Sequence, residues 1–154
     1  MKKNIETIVV CIAVGFLMGQ FMFNQYQKQE KQSTIPVVQT TETLYFLQQG
    51  VYSNLDSMKQ NLTDFEYYIY TEKDNKYYVY VAIIKSEENM EKLKGFFNQK
   101  GYDIYVKEIS VTSAAFLEVL NQYEQLLSGT NDEKTIQAAC AQILAKYEEL
   151  VVND

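Results

Sequence analysis

From residue 44 to residue 109 the apolar positions switch between the two-residue period of strands and the longer period of helices. Residues 44–51 read as a first strand. Ser53 then stands where a helix N-cap is expected, with Asp56 as its capping-box acid. Leu55, Met58 and Leu62 follow at helical spacing. Residues 65–71 read as a second strand, residues 72–76 as a polar hairpin turn and residues 77–84 as a third strand. Ser86 is placed to cap a second helix with Met90, Leu93, Phe96 and Phe97 on its apolar face. Gly101 suits the C′ position that ends it. Residues 103–109 complete a strand–helix–strand–strand–helix–strand order. Each half runs strand, Ser cap, helix and Tyr-Ile strand, a weak repeat of roughly 35 residues that suits a split βαβ arrangement.

After Val111 the composition changes to helix formers. Ser113 is a cap candidate for a helix bearing Phe116, Leu120, Tyr123 and Leu127, ended by Gly129. Thr130 and Glu133 read as a capping box for a second helix bearing Ile136, Cys140, Ile143, Tyr147 and Leu150. Spacings of four and three are those of a packed helix seam, and the short turn predicts an antiparallel hairpin.

Upstream, residues 7–23 carry no charge, the lower limit for spanning a bilayer core. Lys2 and Lys3 precede them, which favours a cytoplasmic N-terminus. Phe21-Met22-Phe23-Asn24-Gln25 offers no small-residue cleavage site, and Val9 and Val10 stand before Cys11 where a lipoprotein site wants small residues. The segment therefore reads as an uncleaved anchor. Gly15 and Gly19 form a small-xxx-small pair within it. Residues 24–42 are polar and Gln-rich, with the chain's one proline, Pro36. They read as a linker that spans about 25 Å as a flexible coil.

Composition narrows the chemistry. All 14 positive charges are Lys, the net charge is −6, and there is no His and no Trp. An acidic chain without a basic face argues against a nucleic-acid binder. Without His the usual general base and the commonest metal ligand are missing. Cys11 and Cys140 form no disulfide framework or zinc spacing. Asp56, Glu66, Asp74 and Asp103 are scattered, and Ser53 and Ser86 read as caps, so no enzyme and no cofactor is expected. Ten of the 13 tyrosines lie between Tyr45 and Tyr105.

Phe46-Leu47-Gln48-Gln49-Gly50-Val51-Tyr52-Ser53-Asn54 resembles the first strand of the SPOR domain. In that family Gln, one residue, Gly, one residue and an aromatic lead into a capped helix. The Lys-Gly-Tyr step at residues 100–102, between helix and last strand, is similar too. Ala82-Ile83-Ile84 stands where family members often carry Gly-Pro-Phe, and Tyr78 where many carry Arg. The resemblance covers about 65 residues and implies an α+β class: a ferredoxin-like βαββαβ SPOR-type domain. With it go an N-terminal transmembrane helix and a C-terminal helical hairpin. The expected divisions are 1–23 cytoplasmic tip and anchor, 24–42 linker, 43–111 SPOR-like domain and 112–154 hairpin. The resemblance further implies a bacterial cell-envelope protein with its C-terminal part outside the cytoplasm. Its partner would be peptidoglycan glycan stripped of stem peptides at division or sporulation sites.

Strand alternation puts Val79, Val81 and Ile83 on the helix-covered side of the sheet. Tyr78, Tyr80 and Ala82 fall on the other side, joined by Phe46, Gln48, Tyr68, Tyr70, Tyr105 and Lys107. Tyrosine has a flat apolar body and a polar tip, and Gln48 both donates and accepts. Phe46, Gln48, Tyr68, Tyr70, Tyr78, Tyr80 and Tyr105 are therefore the candidate glycan-binding residues. Two other covers for this face stay open. The hairpin folds back over it, or a protein partner binds there, making the chain a membrane-anchored scaffold. In the scaffold reading the hairpin helices also offer a homodimer seam.

Overall fold

The computed structural model describes residues 40–153. The expected anchor at residues 7–23 and most of the linker lie outside them. Among the described residues no helix is long and apolar enough to cross a membrane. The described elements are β1 (Glu42–Tyr52), α1 (Leu55–Asn61), β2 (Ile69–Lys73), β3 (Lys76–Ile84), α2 (Glu87–Gln99), β4 (Tyr105–Val111), α3 (Ala114–Gly129) and α4 (Glu133–Tyr147). A wide π-type turn, Glu148–Val152, follows. The four strands form one antiparallel sheet in the order β2-β3-β1-β4. The fold is thus α+β, and Gln39–Asp154 forms one compact unit.

Local chemistry sets the element ends. Asn54, one residue beyond the expected Ser53, caps α1 by accepting from the Ser57 N–H at 2.8 Å. An Asx side chain reaches that N–H as well as a serine does. Ser86 and Ser113 cap α2 and α3 as predicted. Asp132 rather than Thr130 caps α4, accepting from the Thr135 N–H at 2.8 Å. Helix α2 ends in a Schellman motif. The Tyr102 N–H reaches the Phe97 carbonyl at 3.1 Å, the Gly101 N–H reaches Asn98 at 3.0 Å, and Gly101 has φ +89°. The β2–β3 turn is shorter than expected. Asp74 and Asn75 take φ 53° and 56°, the two-residue turn whose twist suits a hairpin. Strand β2 begins at Ile69. Phe65, expected in it, instead packs on Phe97 and Tyr102 at 5.9 and 4.8 Å between ring centroids.

The register divides the sheet differently from simple alternation. Directly opposed residues of an antiparallel pair share a face. Phe46 opposes Ile83 and Gln48 opposes Tyr80, while Leu47 opposes Ala82. The register shifts between Leu47 and Gln48 and again before Gly50. An extra residue at Val81 therefore turns the rest of β3 over. Ile83 lies on the Phe46 face, and Ala82 on the Leu47 face.

Both faces are covered over this central stretch. Helices α1 and α2 pack on the Leu47 face, with Met58, Leu93 and Phe97 buried. The α3–α4 hairpin folds back onto the Phe46 face, α4 lying against β3. Tyr147 meets both Phe46 and Phe116 edge-on at 5.2 Å. Phe116, Leu120, Leu127 and Ile143 are fully buried. The hairpin seam expected from the spacing is real, and it is used inside the unit. Strand β2 pairs only with residues 76–80, so among the described residues no strand lies beside residues 81–84 of β3 on that side. Phe65, Val81, Phe97 and Cys140 line one shallow cleft, so α2 and α4 meet around that uncovered edge.

Candidate functional site

The seven residues expected on one open face separate into four groups. Phe46 and Tyr80 are 2% and 5% exposed, with ring centroids 5.6 Å apart beneath the hairpin. They are core, because α4 occupies the space in which a ligand would lie. Tyr70 opposes Val79 and so projects from the opposite face, its ring 5.8 Å from Tyr77. Tyr68 lies in the irregular segment before β2 and is half-buried. Gln48, Tyr78 and Tyr105 remain together at one end of the Phe46 face, where Tyr105 is exposed, Tyr78 half-buried and Gln48 buried.

This corner is built from three strands. Gln48 of β1 opposes Tyr80 of β3 on one side and Tyr105 of β4 on the other. Tyr105 is 74% exposed and Val51, opposite Tyr78, is 44% exposed. Lys107 opposes Phe46 and reaches across β1, its Nζ 4.6 Å from the centroid of the Tyr78 ring. That is cation–π distance. Gln48 is only 7% exposed, and its Oε1 has no hydrogen-bond partner among the described residues. A buried carbonyl without a donor costs on the order of 1–3 kcal/mol, and this one is closed off from the surface.

The neighbouring tyrosines are held by bonds that fix their hydroxyls. Tyr52 donates to Gln49 Oε1 at 2.7 Å. Tyr102 donates to Asp64 at 2.8 Å, and burial followed by that bond raises its pKa above the ordinary phenol value. Tyr67 donates to Glu148, and that bond, then burial, raises its pKa. Burial pushes the Cys140 thiol up to about 12, which leaves it protonated and inert at neutral pH. Among the described residues no group of three or more His, Cys, Asp or Glu could hold a metal ion.

The polar centre of the unit was not foreseen. Glu124, 9% exposed, accepts from the Lys85 N–H, from the Ser86 N–H at 3.2 Å, from the Ser86 hydroxyl at 2.7 Å and from Asn89 Nδ2 at 2.6 Å. Lys92 Nζ donates to the Leu127 carbonyl at 2.6 Å and to that of Thr130. These bonds tie α3 to α2. A glutamate on the inner stripe of the α3 pattern, one residue after Tyr123, was the available signal.

Compared with protein-family models, with curated proteins and with solved structures, the chain shows no significant match.

Proposed function

We propose that this chain is a non-catalytic binding module of a bacterial cell envelope, SPOR-like in its domain. It would hold peptidoglycan glycan strands stripped of their stem peptides and so localise to division or sporulation sites. The strand–helix–strand–strand–helix–strand order and the β2-β3-β1-β4 sheet suit the ferredoxin-like SPOR architecture. The observation that carries the reading is the uncovered corner. An exposed tyrosine ring and a second ring under a lysine stand together on the sheet, beside the buried amide of Gln48. Sugar rings offer apolar C–H faces to aromatic rings and hydroxyls to amides. The proposed contact centres on Tyr78 and Tyr105, with Val51 and Lys107 at its rim and the buried Gln48 beside them. Anchoring through residues 7–23 would keep the module at the membrane.

The test is pelleting of the full chain, in detergent, with purified sacculi before and after an amidase removes stem peptides. Stronger pelleting with stripped sacculi, reduced by Tyr105→Ala, supports the reading. No pelleting with either rejects it.

A protein-binding scaffold is the competing reading. The second tyrosine cluster favours it: Tyr70 and Tyr77 in ring contact on the opposite face, with Tyr70 47% exposed. If Tyr70→Ala abolishes capture of a partner while Tyr105→Ala does not, the scaffold reading replaces the first.

A further inference from the structure

We infer that the outer edge of β2 takes up an extended, arginine-bearing segment of another protein as a fifth strand, with Glu72 and the Tyr70 and Tyr77 rings receiving its cations. These side chains leave the sheet by the face opposite Tyr105, so the surface is separate from the one proposed for glycan.

The register builds this surface. Glu72 opposes Tyr77, and Tyr77 opposes Tyr52 on its other side. Opposed residues share a face. A carboxylate and two phenol rings therefore run in one row across β2, β3 and β1, with neighbouring strands about 4.8 Å apart. Tyr70, two residues before Glu72 on the same face, is 47% exposed, and its ring meets that of Tyr77 edge to face at 5.8 Å. The lysines of this hairpin point away. Lys73 opposes Lys76, and alternation puts both on the face of Tyr78 and Lys107. The ion pairs among the described residues join Lys85 to Glu42, Lys100 to Glu133 and Lys146 to Glu149. Glu72 is exposed and in none of them. The hairpin thus sorts its charges, with cations on one face and an anion among aromatic rings on the other.

The backbone of the same two residues faces outward. Among the described residues β2 pairs with β3 alone. The turn holds two residues, Asp74 and Asn75, so Lys73 and Lys76 beside it exchange their backbone bonds. Bonded and non-bonded pairs alternate along an antiparallel ladder. Thr71 therefore also bonds inward to β3, and the N–H and C=O groups of Tyr70 and Glu72 point to the open edge. A strand added there sets one side chain opposite Tyr70 and another opposite Glu72, two residues apart on one face. Arginine suits both places, because its planar guanidinium stacks on a phenol ring and forks onto a carboxylate. The chain itself contains no arginine. A second copy, paired through the same edge about a two-fold axis at Thr71, would set Glu72 opposite Tyr70 and bring no cation to either.

The experiment is titration of the full chain, in neutral detergent, with three short peptides, followed through backbone amide NMR signals. The peptides alternate threonine with arginine, with glutamine or with glutamate. Exposed charge pairs and cation–π contacts are each modest, so the arginine peptide should bind about five- to twentyfold more tightly than the glutamine peptide. The Tyr70 and Glu72 amides should become protected from hydrogen exchange as it binds. Glu72→Gln and Tyr70→Ala should each cut the preference at least about threefold. Glu118→Gln, at an exposed acid on α3, should leave it unchanged, and Glu72→Lys should turn it toward the glutamate peptide. An equal fall in Glu118→Gln marks attraction to net charge alone and overturns the inference. Binding without protection of those two amides, equal binding of all three peptides, or binding of none also overturns it. Protection already present without peptide, and rising with protein concentration, gives the edge to a second copy and overturns it as well. The glycan reading stands or falls separately, on the sacculus assay.

Discussion

Replacing Glu124 by Ala removes the acceptor on which the start of α2 depends. Four donors converge on this carboxylate: the Lys85 and Ser86 N–H groups, the Ser86 hydroxyl and Asn89 Nδ2. Two are backbone groups at a helix N-terminus, which have no partner within the helix. Asn89 is 1% exposed, so water reaches its amide poorly. Hydrogen bonds to a charged group are worth about 1.5–3 kcal/mol each. Burying the carboxylate costs several kcal/mol against that sum, and water will reach the half-buried Lys85 and Ser86 in the variant. The expected net loss is about 3 kcal/mol for Glu124→Ala. Glu124→Gln keeps one carbonyl acceptor but turns an NH2 toward donors, and should lose about 2 kcal/mol. For a unit of this size 1 kcal/mol moves Tm by about 4 °C, so Glu124→Ala should melt about 12 °C lower. Urea unfolding followed by circular dichroism measures this directly, with Glu118→Ala, an exposed glutamate on the same helix, as the control. A loss below about 1 kcal/mol, or one equal to the control, would show that the four bonds do not hold α3 to α2.

Gly101→Ala should cost about 1 kcal/mol in the same assay. An added Cβ meets nothing within 4 Å, so the cost is the φ of +89° alone; an unchanged midpoint would refute it. In a Cys11→Ala background, Cys140 should not react with a disulfide reagent at pH 8 unless the chain unfolds. Its folded pKa of about 12 lies above its ordinary value of 9.0. The folded state thus keeps a proton that the unfolded state gives up, and this contribution is intact below pH 9. It is lost as pH rises from 9 toward 12, at up to about 1.4 kcal/mol per pH unit. Cys140→Ala should flatten that part of the stability profile, and an identical slope would assign it to other groups.

Much of the architecture was legible because period and capping agree. The 3.6-residue pattern marks α2, α3 and α4, and Ser86, Gly101 and Ser113 stand where the chain turns in and out of helix. The site was harder to read. Alternation assumes an unbroken pleat, and the irregularity at Val81 reverses the faces of β3 beyond it. Period also cannot say which surface a distant helix will cover. Phe46, Tyr80 and Tyr105 are all aromatic strand residues, yet α4 buries two and leaves the third open. Tyr70 lies on the other face because the turn is only Asp74–Asn75, which sets Tyr70 opposite Val79, where a turn over residues 72–76 would set it opposite Tyr78. Gln48 and Tyr105 stayed together because they are direct cross-strand partners.

The docking of α4 on the sheet also has a consequence for how the chain is made. Leu44, Phe46, Tyr80 and Ile83 are buried, yet their cover is translated after the last strand. At about 5–20 residues per second, the 43 residues that follow Val111 take roughly 2–9 s to emerge. For that time a completed sheet would stand with one greasy face bare. The newborn chain needs either a holding partner or a sheet that closes only when α4 arrives. A chain cut short after Val111 would keep that bare face permanently, and its fate would be aggregation or degradation rather than function.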